Sequence, residues 1–135
     1  MSASAPNGSS DVSGSGRRVS FPRSVRLLRH ADFERVYKQG RRHFAAHMTV
    51  FYLARAEGEG LRVGFTVGRV LGGAVQRNRM KRRLREAVRL RRPAESAAVD
   101  VVINPKKSLL TADFADVERE VSRAFEVIQK SVEKR

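Results

Sequence analysis

The sequence contains no cysteine and no tryptophan among its 135 residues. The first absence excludes disulfides, thiolate zinc sites and a cysteine nucleophile together. Acidic side chains are scarce as well: 14 Asp and Glu stand against 28 Lys and Arg, a formal charge of +14. Most of the few acids cluster at expected helix ends, in the EGEG loop at 57–60 and along the last helix, where turns, first-turn positions and solvated faces account for them. That leaves little for general acid/base catalysis. No apolar run approaches membrane-spanning length, so no membrane partner is expected. The first twenty residues lack the apolar centre of a secretion signal and are rich in Ser, Gly, Ala and Asn. A cytoplasmic location is therefore expected, with residues 1–22 as a disordered Ser/Gly-rich tail, one domain over 23–130 and a frayed end at 131–135.

What the chain has in abundance is positive charge, concentrated in the stretch 72–92, GGAVQRNRMKRRLREAVRLRR. At about 100° per residue, Met80, Leu84, Ala87 and Val88 share one stripe, which predicts an amphipathic helix. Arg77, Lys81, Arg85 and Arg89 follow four apart along one flank, and Asn78, Arg79, Arg82 and Arg83 cover the rest. Like charges at that spacing destabilise a helix, and cations in its first turn oppose the dipole. A solvated face, the ordinary explanation of a charge run, leaves this repulsion without an offset. A polyanion supplies one, and Arg-rich composition suits phosphate, so nucleic acid is the expected partner.

The remaining elements follow from periodicity. Phe33, Val36 and Tyr37 give a short helix over 31–39, with Gly40 as its C-cap. Residues 44–53 alternate, Met48, Val50 and Tyr52 against Thr49, Phe51 and Leu53. Leu61, Val63, Phe65 and Val67 form a second strand, expected to pair with the first as an antiparallel hairpin across EGEG. A short extra strand fits 42–45, with a bend at Ala45-Ala46. After the basic helix, AAVDVVI reads as a buried strand stopped at Asn104-Pro105, and strand–helix–strand succession implies a parallel pair. A last helix opens with Thr111 as N-cap and carries Phe114, Val117, Val121, Phe125 and Ile128 on one face. The sum is an α/β (α+β) sandwich of order αβββαβα.

No catalytic constellation emerges. Of His30, His43 and His47, the last two lie four apart in a strand-like segment, where they share a face but stand too far from each other to chelate easily, and no metal site is expected. The glycines of VGRVLGG lack the lysine and spacing of a phosphate loop. Phe33 and Tyr37 have two readings: core residues, which spacing alone favours, or a stacking platform for unpaired bases completed by Phe51.

The stretch 63–89, VGFTVGRVLGGAVQRNRMKRRLREAVR, closely resembles the signature region of the bacterial ribonuclease P protein subunit, in which a strand leads through a Gly-containing loop into a helix bearing Arg-Asn-Arg. The resemblance extends to LLRHADFERVYKQG upstream and VDVVINPKKSLLTADF downstream. It implies a two-layer sandwich similar to the second domain of ribosomal protein S5, with the basic helix in a left-handed crossover. It also implies a protein cofactor of a catalytic RNA, which with bound Mg2+ removes the 5′ leader of precursor tRNA; the protein itself would bind no metal. By this resemblance Arg69, Arg77, Asn78, Arg79, Lys81, Arg82 and Arg85 contact the RNA subunit. Phe33, Tyr37, Thr49 and Phe51 line a cleft for the single-stranded leader, and Lys106 and Lys107 extend its track. The implied partners are thus the RNA subunit and precursor tRNA; the oligomeric state is left open. The chain departs from the family pattern where Val70 follows Arg69 in place of a second cation, where Gly68 replaces a common Ser, and where Tyr37 replaces Phe. The alternative is a general RNA-binding or ribosomal protein of similar fold, which would bind RNA without stimulating tRNA processing. DNA readout fits poorly, since the helix cations encircle the exposed surface instead of forming one base-reading row.

Overall fold

The apolar run near residue 100 becomes the centre of the sheet. In the computed structural model, which describes residues 26, 29–58, 60–93 and 96–133, the chain forms α1 (His30–Gln39), β1 (Arg41–Phe44), β2 (Met48–Ala54), β3 (Leu61–Phe65), α2 (Ala74–Arg91), β4 (Val99–Pro105) and α3 (Phe114–Glu133). The strands lie in the order β1-β2-β4-β3. β4 pairs antiparallel with β2 and parallel with β3, and α2 makes the crossover between the two parallel strands. The element order is the one expected.

The hairpin expected between residues 44–53 and 61–67 does not form, because β4 lies between β2 and β3. The reason is burial on two sides. Val99, Val101 and Ile103 of β4 enter the main core, while Val102 packs with Val36 of α1 on the opposite face. A strand apolar on both faces belongs in the middle of a sheet. The antiparallel pair with a short connection is instead β1 with β2, after a bend at Ala46 and His47.

α2 and α3 cover one face of the sheet. Met80, Leu84, Ala87 and Val88 of α2 and Val117, Val121, Phe125 and Ile128 of α3 are all buried there with Met48, Val50, Tyr52 and Val63. Burying one such side chain contributes about 1.5–3 kcal/mol, so the stripe along 80–88 holds the cationic helix on the protein. α1 crosses the other face. Its C-cap is Gly40, as expected, and the cause is space: a Cβ there would lie 2.5 Å from the Val36 carbonyl oxygen and 2.6 Å from that of Tyr52. Thr111, by contrast, does not cap α3. A 3-10 turn (Lys107–Leu110) buries Leu109 first, and the carbonyl of Asp113 accepts the first helical hydrogen bonds, from Asp116 and Val117. α3 continues through Glu133. The expected tail 1–22 and residues 134–135 of the expected frayed end lie outside the described residues. No helix among the described residues is long and apolar enough to cross a membrane.

Candidate nucleic-acid interface

Strand alternation divides the polar and aromatic residues between two faces. The even positions of β4 and odd positions of β2 point towards α1, so Thr49, Phe51, Leu53, Asp100, Val102 and Asn104 share its side of the sheet. Phe33 packs there, half-buried, against the Val36–Val102 contact, together with Phe51 and Leu53. The rings of Tyr37 and Phe51 meet edge to face with centroids 4.9 Å apart. The Arg42 guanidinium lies over Phe51, 5.8 Å from its centroid. Tyr37 donates its hydroxyl proton to Asn104 Oδ1 at 2.9 Å and accepts from the Thr66 hydroxyl at 2.6 Å, which ties α1 to the ends of β3 and β4. Thr49, opposite Asn104, is half-buried. The four residues expected in the cleft therefore come together, with Arg42, Thr66 and Asn104 added. Phe33 is packed and half-buried, while Tyr37 remains 37% exposed.

Lys106 and Lys107 follow directly from β4, both exposed, and Lys106 Nζ donates to the Ala45 carbonyl at 3.1 Å. On the other face α2 begins at the same end of the sheet, nine residues after β3 stops at Phe65. Arg69 is exposed in a 3-10 turn (Arg69–Leu71). Gly72 then turns the chain into the helix at φ 138°, a conformation open to glycine. Asn78, Arg79, Arg82 and Arg85 are exposed; Arg77 and Lys81 are half-buried, and Arg77 Nε donates to the Gly72 carbonyl at 3.2 Å. Among the described residues no carboxylate pairs with Arg69, Arg77, Arg79, Lys81, Arg82 or Arg85. Desolvation by the surrounding chain, then repulsion from Arg26 and Arg82, lowers the Arg85 pKa, though a guanidinium stays charged at any physiological pH. The other α2 arginines are engaged. Arg89 bonds to Glu86, Arg91 to Glu118, and Arg83 to the Leu110 and Ala112 carbonyls, which fixes the loop before α3.

A buried charge cluster went unread in the sequence. Asp100 is fully buried, and Arg62 holds both of its oxygens at 2.8 and 2.9 Å, Arg55 one at 2.8 Å and Arg35 the other at 3.1 Å. Asp32 joins through Arg35 at 2.8 Å. Burial pushes the Asp100 carboxyl up, but the hydrogen bonds from Arg62 and Arg55 outweigh it and hold the group below its ordinary range. The signal was one acid inside an apolar strand, which demands a buried cation.

His30, His43 and His47 do not gather. His47 bonds to the Ser108 hydroxyl at 2.8 Å, His30 faces Glu34, and no three His, Asp or Glu side chains among the described residues could hold a metal together.

The αβββαβα sandwich is matched by known proteins. The family model of ribonuclease P matches residues 21–129. The chain belongs to the ribonuclease P protein family. The ribonuclease P protein component of Desulfovibrio desulfuricans is 42% identical over 108 residues, 78% of this chain and 83% of that one. The ribonuclease P protein of Thermotoga maritima superposes with a TM-score of 0.66 at 27% identity, over 74% of this chain and 94% of that one. The Staphylococcus aureus protein shares the fold with a TM-score of 0.68.

Proposed function

We propose that this ribonuclease P family member is the protein subunit of a ribonucleoprotein that removes the 5′ leader from precursor tRNA. In this reading the RNA subunit performs phosphodiester hydrolysis with Mg2+ that it holds itself, and the protein neutralises and positions. Arg69, Arg77, Asn78, Arg79, Lys81, Arg82 and Arg85 contact the RNA subunit; Phe33, Tyr37, Thr49 and Phe51 receive unpaired leader nucleotides, with Lys106 and Lys107 along the backbone.

The observation that carries this reading is the pairing of two unlike surfaces at one end of one sheet. Cations that no carboxylate among the described residues meets offset a structured RNA's phosphates, whereas aromatics bordered by cations suit a single strand. A protein that holds both polyanions reduces their repulsion and with it the magnesium the reaction needs. Phosphate contact also removes the like-charge cost that α2 carries alone.

The test is multiple-turnover cleavage of precursor tRNA by the cognate RNA subunit at low magnesium, with and without the protein, and by the protein alone. Stimulation that requires the RNA subunit and grows with the leader is the expected result. Tight RNA binding without stimulation would move the chain to a general RNA-binding or ribosomal role, and cleavage by the protein alone would overturn the assignment of chemistry to RNA.

A further inference from the structure

We infer that Phe44, at the outer edge of the sheet, is a base-stacking residue that adds one more nucleotide position to the aromatic cleft. The inference rests on the leader-binding reading above and extends the cleft beyond the residues already assigned to it.

Phe44 is 67% exposed, far more than Tyr37, although phenylalanine is an ordinary core residue. Register fixes where it points. Phe44 faces Thr49 and Arg42 faces Phe51, so Phe44 and Arg42 share the α1 side of the sheet with Thr49 and Phe51. Phe44 and Phe51 are diagonal neighbours across the antiparallel pair, about 7–8 Å apart, within reach of one bound nucleotide and the next. The two rings differ in availability. Phe51 already has Tyr37 at its edge and the Arg42 guanidinium over it. Among the described residues no ring or cation occupies Phe44.

The surroundings select a nucleic-acid occupant. Lys106 is anchored to the carbonyl of Ala45, the next residue, and Arg42 stands two positions back on the same face, so cations border the ring on both sides along β1. An aromatic face between cations is the arrangement that holds an unpaired base and its flanking phosphates. A second copy of the chain is a poor occupant. Adding a strand antiparallel at this edge would set the Arg-Arg-His-Phe sequence of β1 close to its own cations, and charge on an edge strand opposes such pairing.

The decisive experiment measures affinity of the holoenzyme, cognate RNA subunit plus full chain, for precursor tRNAs whose leaders are lengthened one nucleotide at a time. Phe44→Leu keeps an apolar side chain and removes the ring; Phe44→Trp keeps a stacking face. Expected is a leader-dependent gain in the unaltered holoenzyme, of which Phe44→Leu loses about 5-fold or more on long leaders only, and which Phe44→Trp retains. A full gain in Phe44→Leu would overturn the inference and leave the proposed function standing. Equal loss on short and long leaders would also overturn it. No leader-dependent gain in the unaltered holoenzyme would instead sink the cleft reading itself. Sedimentation of the free chain completes the test: a dimer that Phe44→Leu dissociates, with leader affinity unchanged, assigns the ring to a second copy.

Discussion

Two groups of arginines in this molecule do opposite things. Arg35, Arg55 and Arg62 converge on the buried carboxylate of Asp100, with Asp32 at the edge of the cluster. Arg77, Arg79, Arg82 and Arg85 line α2 with no carboxylate among the described residues to meet them. The first group is internal structure: Arg55 Nη2 also donates to the Gly60 carbonyl at 2.8 Å, so the cluster joins the β2–β3 loop, β3, β4 and α1. The second is directed outward. A formal charge of +14 is therefore not a uniform coat. Where a carboxylate is buried the cations are consumed, and α2 carries a dense share of the surplus, which concentrates the field on the surface proposed to meet RNA.

The largest expected effect comes from breaking the first group. Asp100→Asn keeps the shape but leaves three guanidiniums around a neutral amide, and removing one partner of a buried ion network costs about 3–5 kcal/mol. Urea unfolding measures this; a loss below about 1 kcal/mol would show that the cluster is solvated and dispensable. The acid dependence carries a definite sign. Asp100 is held below its ordinary pKa in the folded state, so its contribution is present above the unfolded value, near 4, and is lost as pH falls through the lower folded value. Asp100→Asn should flatten stability against pH in that window and leave it unchanged in shape above pH 5. Asp100→Asn protein that still folds should keep the salt dependence of RNA binding.

Next in size is Arg79→Ala, which touches only the second group. Arg79 is exposed, and no carboxylate among the described residues pairs with it, so stability should move by less than about 0.5 kcal/mol. Affinity for the RNA subunit should fall, and the slope of log affinity against log salt should flatten by about one unit if one phosphate contact is lost. An unaltered slope would remove Arg79 from the interface. The contrast with Asp100→Asn is the point: one change costs stability at constant slope, the other costs slope at constant stability.

How much of this was legible follows from what periodicity encodes. The stripe Met80, Leu84, Ala87 and Val88 and its cationic remainder were readable because a helix repeats locally, and all four are buried as expected. Strand partners were only partly so: strand–helix–strand succession implied the parallel pair, found as β3 with β4, but not the rest of the sheet order. Residues 44–53 and 61–67, joined by EGEG, have the local look of a hairpin, yet AAVDVVI, apolar on both faces, had the stronger claim to the centre of the sheet. That comparison spans the whole chain. Asp100 was visible as an anomaly in an apolar run, but its partners at 35, 55 and 62 share no spacing with it. Phe44 could be given a face by alternation, whereas its exposure depends on where α1 stops covering the sheet.

A smaller effect should follow from Tyr37→Phe, which keeps the ring and removes the hydroxyl bonded to Thr66 and Asn104. The lost pair is worth about 0.5–1.5 kcal/mol per hydrogen bond at most, less at this half-open position. Thermal unfolding should register a modest drop while leader affinity holds, since the stacking face remains. A loss of leader affinity as large as that of Phe33→Ala, about 1–3 kcal/mol where stacking is removed, would mean that the hydroxyl itself reads the leader.

Arg85→Gln has the smallest expected effect on stability, and its sign is the informative part. Arg85 sits four residues from both Lys81 and Arg89, and partial desolvation of its guanidinium by the surrounding chain, with Arg26 and Arg82, already disfavours its charge although the residue is exposed. Neutralising it should stabilise the free protein by a few tenths of a kcal/mol, the reverse of the loss expected at Asp100. The same change should weaken RNA binding, because the charge that strains the isolated helix is the charge a phosphate would offset. Differential scanning calorimetry with and without the RNA subunit reads both quantities on one sample. If Arg85→Gln lowers stability in both states, its guanidinium belongs with the arginines around Asp100, and the division between the two groups fails at that residue.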